Sequence, residues 1–212
     1  MIQAVIFDMD GTILNTLDDL YESVNLTLAN FGFKVKTFDE VRRFVGNGVR
    51  LLFKRALPDD IDDETLEKCI SYFKKIYAEN MYNHTAPYNG IIKLLKELKS
   101  NGIKIAVVSN KFDLAVKELS KKFFENLIDI SIGQADDVPP KPAPNGVFKA
   151  MKILNVKSAI FIGDSDVDIE TAKNANLPSI GVTWGFRDRE NLQGADYIAD
   201  YPEEINKIIK SL

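Results

Sequence analysis

Short apolar runs alternate along the chain with stretches whose apolar residues recur at helical spacing. The runs bounded by turn residues predict buried strands at 2–7, 103–108, 128–132, 159–162 and 179–182. Helical spacing is clearest in two sets of apolar positions, Ile91, Leu94, Leu95 and Leu98, and Ile205, Ile208, Ile209 and Leu212. Alternating strands and helices predict a doubly wound, mainly parallel, Rossmann-like α/β sheet. In such sheets ligands bind beyond the carboxyl ends of the strands, which makes those ends the place to look for chemistry.

The stretch after the first strand breaks this alternation. From residue 17 to about 83 the helical spacing continues without a convincing strand. The stretch ends near His84-Thr85-Ala86-Pro87, where proline and polar residues suit a linker. We therefore predict an α/β core formed by residues 1–16 and 84–212 and an inserted all-helical domain at 17–83. An insert in this place is expected to act as a movable cap over the sheet.

Composition and charge narrow the partners. With 45% hydrophobic and 27% charged residues, the 212-residue chain has the balance of an ordinary globular protein. Its net charge of −4 offers no basic field to attract nucleic acid or an anionic membrane. The single cysteine, Cys69, excludes an intramolecular disulfide, and no apolar run approaches the roughly 20 residues that span a bilayer. The first residues favour a strand over a signal peptide, so we expect a cytoplasmic protein.

Two carboxylates stand directly after the first predicted strand. Asp8 and Asp10 are separated by one residue, and Gly11 permits a tight turn behind them. Both side chains can then face one point just beyond the sheet. Alone, such a pair is more often a turn than a catalytic site. The residues at the other strand ends therefore decide whether the pair is interpreted as catalytic.

The second and fourth predicted strands bring further polar groups to the same edge. Ser109, Asn110 and Lys111 follow the second strand with a hydroxyl, an amide and an ammonium, which are phosphate-binding groups. Asp164 and Asp168 follow the fourth strand. Since the carboxyl ends of parallel strands meet at one edge of a sheet, these groups are predicted to face Asp8 and Asp10.

So many carboxylates in one cleft require positive charge. Asp8, Asp10 and Asp164 would repel one another strongly unless a cation lay among them. Magnesium suits an all-oxygen set and commonly binds through one or two carboxylates plus a substrate phosphate. Lys141 supplies another positive charge, from a loop that its flanking prolines restrict. The sequence therefore predicts a magnesium site next to a fixed lysine.

These residues resemble the motifs of the haloacid-dehalogenase (HAD) superfamily, and within it the phosphoglycolate-phosphatase-like enzymes with a helical cap. Matches to the four superfamily motifs occur in order, at Asp8-x-Asp10-Gly11-Thr12, Ser109, Lys141 and Gly163-Asp164-Ser165-x-x-Asp168. Each motif alone is weak, but the ordered set is specific and covers essentially the whole chain. The turn Gly46-Asn47-Gly48 and the tail from Gly181 through Trp184-Gly185 to Ile198 resemble the phosphoglycolate-phosphatase branch in particular.

The resemblance implies a Mg²⁺-dependent phosphatase that cleaves small phosphate monoesters through an aspartyl phosphate. By this resemblance Asp8 is the nucleophile, Asp10 the general acid and base, and Lys141 the residue that offsets charge. The implied metal ligands are Asp8, the carbonyl of Asp10, and Asp164, with Asp168 orienting that shell. The implied phosphate-binding residues are Thr12, Ser109, Asn110 and Lys141. In the cap, Asn47 and Arg50 are expected to contact the leaving group.

Several alternatives remain at this level. Phosphoglycolate leads by resemblance, with pyrophosphate, nucleoside monophosphates and sugar phosphates behind it, and a β-phosphoglucomutase-like phosphosugar mutase would keep every core motif. A dehalogenase of the same fold acts on carbon, so Asp10 and Asp164 argue against it. A receiver-like signalling domain would lack so large an insert. The expected partner is a small phosphorylated metabolite, and the chain is expected to be a monomer or homodimer. Arg187 and Arg189 are interpreted either as solvated loop residues or as anion contacts.

Overall fold

The computed structural model describes residues 2–212. The strands in this range are β1 (Ala4–Phe7), β2 (Leu14–Asn15), β3 (Ala86–Pro87), β4 (Lys104–Phe112), β5 (Ile130–Gln134), β6 (Ala159–Gly163), β7 (Ser179–Val182) and β8 (Tyr197–Ala199). The α-helices are α1 (Leu17–Asn30), α2 (Phe38–Phe44), α3 (Val49–Ala56), α4 (Asp63–Asn80), α5 (Ile91–Ser100), α6 (Asp113–Phe124), α7 (Asn145–Leu154), α8 (Asp166–Asn174) and α9 (Pro202–Lys210).

The main sheet is parallel throughout, in the order β5-β4-β1-β6-β7-β8. The doubly wound α/β fold predicted from the sequence is therefore confirmed, and each of the five predicted strands has its counterpart. Strand β8 at the edge was not predicted, and β4 continues past the predicted end at residue 108 to Phe112. Its pairing with β5 shifts register after Val108. This irregularity lies where the polar residues of β4 begin.

Between Leu17 and Asn80 the described chain is helical and contains no strand. We refer to residues 17–83 as the helical segment; its role as a separate cap domain stays a prediction. Helix α1 buries Leu17, Leu20, Val24 and Leu28 on one face, as their spacing predicts. Buried apolar residues of the helical segment and of one face of the main sheet form a continuous cluster. The segment is thus packed onto the sheet in this conformation.

The two ends of the helical segment are tied together. Strands β2 and β3 pair antiparallel where the chain enters and leaves the segment. Asp19 is fully buried at the start of α1, and its carboxylate accepts hydrogen bonds from the backbone N–H groups of His84 and Thr85, both at 2.9 Å. The predicted linker around His84 is therefore anchored to the first turn of α1.

The other face of the sheet has its own core. Ala4, Ile6, Val108 and Phe161 pack there against the apolar faces of α7 and α8. In the C-terminal helix α9, Ile205 and Ile209 are buried as predicted, whereas Leu212 lies beyond the helix and is 43% exposed. Within the described chain, none of the helices is both long enough and apolar enough to cross a bilayer.

Candidate active site

Three carboxylates converge at the carboxyl edge of the sheet. Asp8 follows β1, Asp164 follows the adjacent strand β6, and Asp168 lies in the first turn of α8. All three side chains are buried, and one oxygen from each lies within 4.8 Å of the others. The structure therefore brings together three of the four acids that the sequence predicted to meet, all except the carboxylate of Asp10. This all-oxygen set could hold a hard metal ion.

Lys141 lies between two of these carboxylates. Its Nζ is 2.6 Å from Asp168 Oδ1 and 2.8 Å from Asp8 Oδ1, and its side chain is only 4% exposed. The contact with Asp8 is a buried ion pair. Burial favours the neutral amine, but the charges of Asp168 and Asp8 outweigh it and raise the pKa of Lys141. Lys141 is therefore a fixed cation beside Asp8.

Asp168 holds Lys141 through a network of its own. Its second oxygen, Oδ2, accepts hydrogen bonds from Ser165 Oγ at 2.6 Å and from the Ser165 N–H at 3.1 Å. This reciprocal arrangement caps the N-terminus of α8. With both oxygens engaged, Asp168 positions the lysine, and Asp8 and Asp164 remain the more available carboxylates.

Asn110 fixes the backbone on which Lys141 stands. Its Oδ1 accepts a hydrogen bond from the Lys141 N–H at 2.6 Å, and its Nδ2 donates to the Lys141 carbonyl at 3.1 Å. The same Nδ2 reaches the carbonyl of Gly46 in the helical segment at 3.2 Å. The Asn110 side chain, which the sequence predicted to bind phosphate, thus forms its hydrogen bonds with the loop that carries Lys141 and with the turn after α2.

Burial, together with the crowding of the acids, raises the pKa values of Asp8 and Asp164. Burial raises the pKa of Asp8 to about 6, because the loss of solvation outweighs the attraction of Lys141 and because Asp168 and Asp10 add to the rise. Burial, followed by repulsion from Asp168 and Asp8, raises the pKa of Asp164 to about 8 against the lowering effect of the Phe186 N–H. That N–H donates to Asp164 Oδ2 at 2.7 Å. The cluster thus carries more negative charge than Lys141 balances, as a site for a divalent cation should.

Two glycines allow the chain to close around Asp164. A Cβ on Gly11 would lie 2.3 Å from Asp164 Oδ2, and one on Gly185 would lie 2.2 Å from Asp164 Cβ. Gly11 also has a φ of +84°, a conformation that other residues rarely adopt. Gly11 is therefore required for two reasons. The turn needs its positive φ, and Asp164 leaves no space for a side chain there.

Asp10 faces away from the acidic cluster toward a different lysine. Its Oδ1 accepts hydrogen bonds from Thr16 Oγ1 at 2.6 Å and from Lys111 Nζ at 2.9 Å. Burial opposes the charge of Lys111, but the Asp10 carboxylate outweighs it and raises the pKa of Lys111. Lys111, which the sequence suggested as a phosphate-binding group, is thus paired with Asp10, and Thr16 was not expected here at all.

Two hydroxyls remain near the acids. Thr12 Oγ1 is buried without a hydrogen-bond partner, and Ser109 Oγ accepts only a long hydrogen bond of 3.4 Å from the Lys111 N–H. Ser109 shares with Asp8 and Asp10 the wall of a cavity between the sheet and the helical segment. The Ser109 hydroxyl can therefore donate to a ligand in this cavity, whereas Thr12 is not in its wall.

That cavity is small and mainly apolar on the side of the helical segment. It holds about 50 Å³, measured as the space open to the centre of a water molecule. Asp8, Asp10 and Lys111 are the charged side chains in its wall. The helical segment contributes the side chains of Leu20, Val45, Val49, Leu52, Phe73 and Tyr77, and β4 adds those of Asn110 and Phe112. A small cavity with mainly apolar walls beside Asp8 can limit the access of water to a reaction there.

Neither of the predicted contacts in the helical segment lines this cavity. Arg50 forms ion pairs with Asp63 and Glu67 on the surface of the segment. The side chain of Asn47 accepts a hydrogen bond from Arg55 at 3.0 Å. The turn itself reaches the cavity through Gly46 and Gly48, whereas the side chains of Asn47 and Arg50 do not line it in this conformation.

Arg187 joins the core to the helical segment. It donates to the carbonyl of Arg42 at 2.8 Å and to that of Val45, at the C-terminal end of α2 where helix carbonyls lack partners. Arg42 in turn donates to the carbonyl of Phe186 at 2.7 Å. The loop that bonds Asp164 through the Phe186 N–H therefore also holds α2. Neither of the two interpretations drawn from the sequence, a solvated residue or an anion contact, anticipated this role for Arg187.

Replacing Arg187 is expected to loosen this junction. Arg187→Met removes charge-assisted hydrogen bonds to α2, each of which contributes about 1.5–3 kcal/mol. Amide hydrogen exchange should therefore quicken in residues 42–48 while β1 and β6 keep their protection. Arg189→Met is the matched control, because Arg189 pairs with Asp200 at the surface. Unchanged exchange in residues 42–48 would show that the apolar contacts alone hold the junction.

The sequence and the fold place the chain in a known family. The family model for haloacid dehalogenase-like hydrolases matches residues 5–182. The chain therefore belongs to this family of hydrolases, as its motifs suggested.

Its relatives define a branch within the family. The chain is 34% identical over 214 residues to the phosphoglycolate phosphatase of Aquifex aeolicus (strain VF5), covering 98% of this chain and 96% of that protein. It is 30% identical to the phosphoglycolate phosphatase of Psychrobacter arcticus, covering 99% and 96%. A crystal structure of a candidate phosphoglycolate phosphatase from Lactobacillus delbrueckii subsp. bulgaricus matches with a TM-score of 0.92 at 33% identity, covering 98% of both chains. The chain is a phosphoglycolate phosphatase-like hydrolase.

Proposed function

We propose that this protein is a Mg²⁺-dependent phosphatase that hydrolyses a small phosphate monoester, with phosphoglycolate as its leading substrate, through a phosphoryl group carried on Asp8. The observation that carries the proposal is the position of Asp8, buried beside a fixed lysine and two further carboxylates, with Asp10 in the wall of the same cavity. The names of the similar proteins support phosphoglycolate as the substrate. The single cysteine, which is buried, suits a cytoplasmic enzyme.

The two proposed steps divide the hydrolysis between Asp8 and Asp10. An Asp8 carboxylate oxygen attacks phosphorus, the bond from phosphorus to the ester oxygen breaks, and Asp10 gives a proton to the departing alkoxide. Asp10 then takes a proton from a water molecule, which attacks phosphorus and releases inorganic phosphate from Asp8. Lys141 offsets the charge at Asp8 in both steps, and the hydroxyls of Thr12 and Ser109 donate to the phosphoryl oxygens.

The residues present fit a magnesium ion. Asp8 and Asp164 would hold it with the carbonyl of Asp10, while Asp168 keeps Lys141 in place. Burial, together with repulsion from neighbouring carboxylates, raises the pKa values of Asp8 and Asp164, and a cation among them would offset this repulsion. When bound, the ion would offset the negative charge of the carboxylates and of the substrate phosphate.

The proposed site makes the stability of the metal-free protein depend on pH. The pKa values of Asp8 and Asp164 lie above the value of about 3.9 for an unfolded chain, so the folded protein binds more protons between about pH 4 and pH 8. Its free energy of unfolding should fall as pH rises through that window. Mg²⁺ competes with those protons, so it should raise the melting temperature more at about pH 8 than at about pH 5.

This dependence can be measured by thermal unfolding in EDTA or in Mg²⁺ at both pH values. Asp164→Asn should remove most of the stabilisation by Mg²⁺ at the higher pH. A melting temperature in EDTA that rises from about pH 5 to about pH 8 would contradict the assignment of these carboxyls.

We further propose that residues 17–83 form a cap domain that closes over a core of residues 1–16 and 84–212. The support is the antiparallel pair β2 and β3 at the junction and the cavity between the two parts. The junction made by Arg187 would hold the cap closed in this conformation. A closed cap would exclude water while the leaving group departs.

The proposed function is tested by phosphate release from a panel of phosphoglycolate, pyrophosphate, p-nitrophenyl phosphate, nucleotides and sugar phosphates. We expect release that requires Mg²⁺, is lost in EDTA and is fastest with phosphoglycolate. Full activity in EDTA would overturn the metal assignment. Conversion of a sugar phosphate to its isomer without release would instead establish the mutase.

A further inference from the structure

The wall of the cavity between the sheet and the helical segment contains a polar group that has no role in the proposed mechanism. Tyr77 of α4 is fully buried there, and its hydroxyl has no hydrogen-bond partner. Buried hydroxyls are nearly always satisfied, and one left alone is unfavourable until a ligand or a water molecule reaches it. No step of the proposed mechanism involves this hydroxyl. It is therefore available to bind part of a ligand in the cavity.

Lys111 lies against the same tyrosine. Its Nζ is 4.4 Å from the centre of the Tyr77 ring, and its side chain is 4% exposed. Asp10 is its ion-pair partner within the described chain. An ammonium has three N–H donors, so contact with one carboxylate leaves capacity for a second. A cation and an unpartnered hydroxyl therefore lie side by side in the wall.

Lys111 is the cation of this cavity, and Lys141 is not in its wall. Lys141 serves the Asp8 side of the site, where the phosphoryl group would lie. Lys111 lies beside Asp10, the group that would protonate the leaving oxygen. A leaving group that extends from phosphorus into the cavity would thus meet Lys111 and Tyr77 within a few bonds of the ester oxygen.

The size of the cavity limits what this leaving group can be. The cavity is small, at about 50 Å³. A cavity of this size favours a short leaving group over a bulky one. The apolar side chains of the helical segment offer no other partner for a second charge.

We propose that Lys111 and Tyr77 form a subsite for a carboxylate attached one carbon from the phosphate ester oxygen, and that this subsite selects the substrate. This inference rests on the proposed phosphatase function and refines it: the preferred substrates are short phosphate monoesters of 2-hydroxy acids. Lys111 would share its donors between Asp10 and the substrate carboxylate, and the Tyr77 hydroxyl would donate to the same carboxylate.

The test compares phosphoglycolate with ethyl phosphate, which has the same two-carbon length but no carboxylate. For each variant the measured quantity is the ratio of kcat/KM for phosphoglycolate to that for ethyl phosphate. A folding defect, or a loss of Asp10 function, lowers both values and leaves the ratio unchanged. The ratio therefore reports recognition of the carboxylate alone.

Tyr77→Phe should lower the ratio about tenfold, the usual effect of losing one hydrogen bond. Lys111→Met should lower it at least about a hundredfold, since a charged partner is lost, and Lys111→Arg should lower it less because the charge is kept. Tyr82→Phe and Lys93→Met alter a partly exposed tyrosine and an exposed lysine outside the cavity, and they should leave the ratio as in the wild type.

The outcomes separate the subsite from the proposed function. If Lys111→Met and Tyr77→Phe both keep the ratio within about threefold of the wild-type ratio, the subsite is overturned. The proposed phosphatase function would be unaffected by that result. Equal hydrolysis of both esters by the wild type would do the same. Release of phosphate from neither ester would overturn the proposed function itself.

Discussion

Asp8→Asn is expected to lower kcat for phosphate release by at least about 10⁴-fold, since removal of a nucleophile commonly has effects of this size or larger. An amide oxygen cannot form the phosphoryl-enzyme intermediate that we assign to Asp8. The variant should still fold, because the ionised form of this buried carboxyl is already disfavoured and Lys141 keeps its contact with Asp168. The loss would therefore be one of chemistry rather than of structure.

The measurement is steady-state phosphate release with Mg²⁺, accompanied by a melting curve. Asp166→Asn is the matched control, because Asp166 is an exposed acid at the start of α8 near the same edge of the sheet. It should keep activity within about threefold of the wild type. If Asp8→Asn kept a comparable rate, the assignment of the nucleophile would be wrong.

Lys141→Met is expected to lose both activity and stability. Without the amine, Asp8 and Asp168 are buried carboxylates with no cation between them. Removing one partner of a buried ion pair typically costs about 3–5 kcal/mol. The loss of stability should be larger at about pH 8 than at about pH 5, because protonation of the cluster relieves the repulsion. Mg²⁺ should restore part of the stability but not the activity.

Urea denaturation at the two pH values measures this effect. Lys149→Met serves as the control, because Lys149 forms an exposed ion pair with Asp137 that is expected to contribute less than about 1 kcal/mol. If Lys141→Met were as stable as Lys149→Met at about pH 8 without metal, the charge balance described for the site would be incorrect.

The main elements of the fold and site were predictable because both follow from local sequence patterns. Buried parallel strands appear as short apolar runs, and parallel strands bring their carboxyl ends to one edge. Asp8, Asp164 and Lys141 could therefore be placed together from their positions after strands and in a restricted loop. The edge strand β8 was missed because its three residues carry too short an apolar signal.

The contacts made by the helical segment could not be predicted in this way. The pairing of Lys111 with Asp10 depends on the register shift in β4, and its contact with Tyr77 depends on how α4 packs on the sheet. Arg50 was expected to contact a ligand because it stands beside a glycine turn, yet acids of α4 hold it at the surface. The spacing of residues within one segment of the sequence does not specify which residues of another segment they will contact.

Direct detection of the phosphoryl group on Asp8 is the most direct test of the proposed mechanism. In Asp10→Asn, p-nitrophenyl phosphate should still transfer its phosphoryl group, because p-nitrophenolate departs without a proton, whereas water should not be activated to release it. The intermediate should accumulate, with a burst of p-nitrophenolate. Borohydride reduction after an acid quench should convert residue 8 to homoserine, which mass spectrometry of the peptide detects. A burst without modification of Asp8, or modification of another residue, would contradict the account.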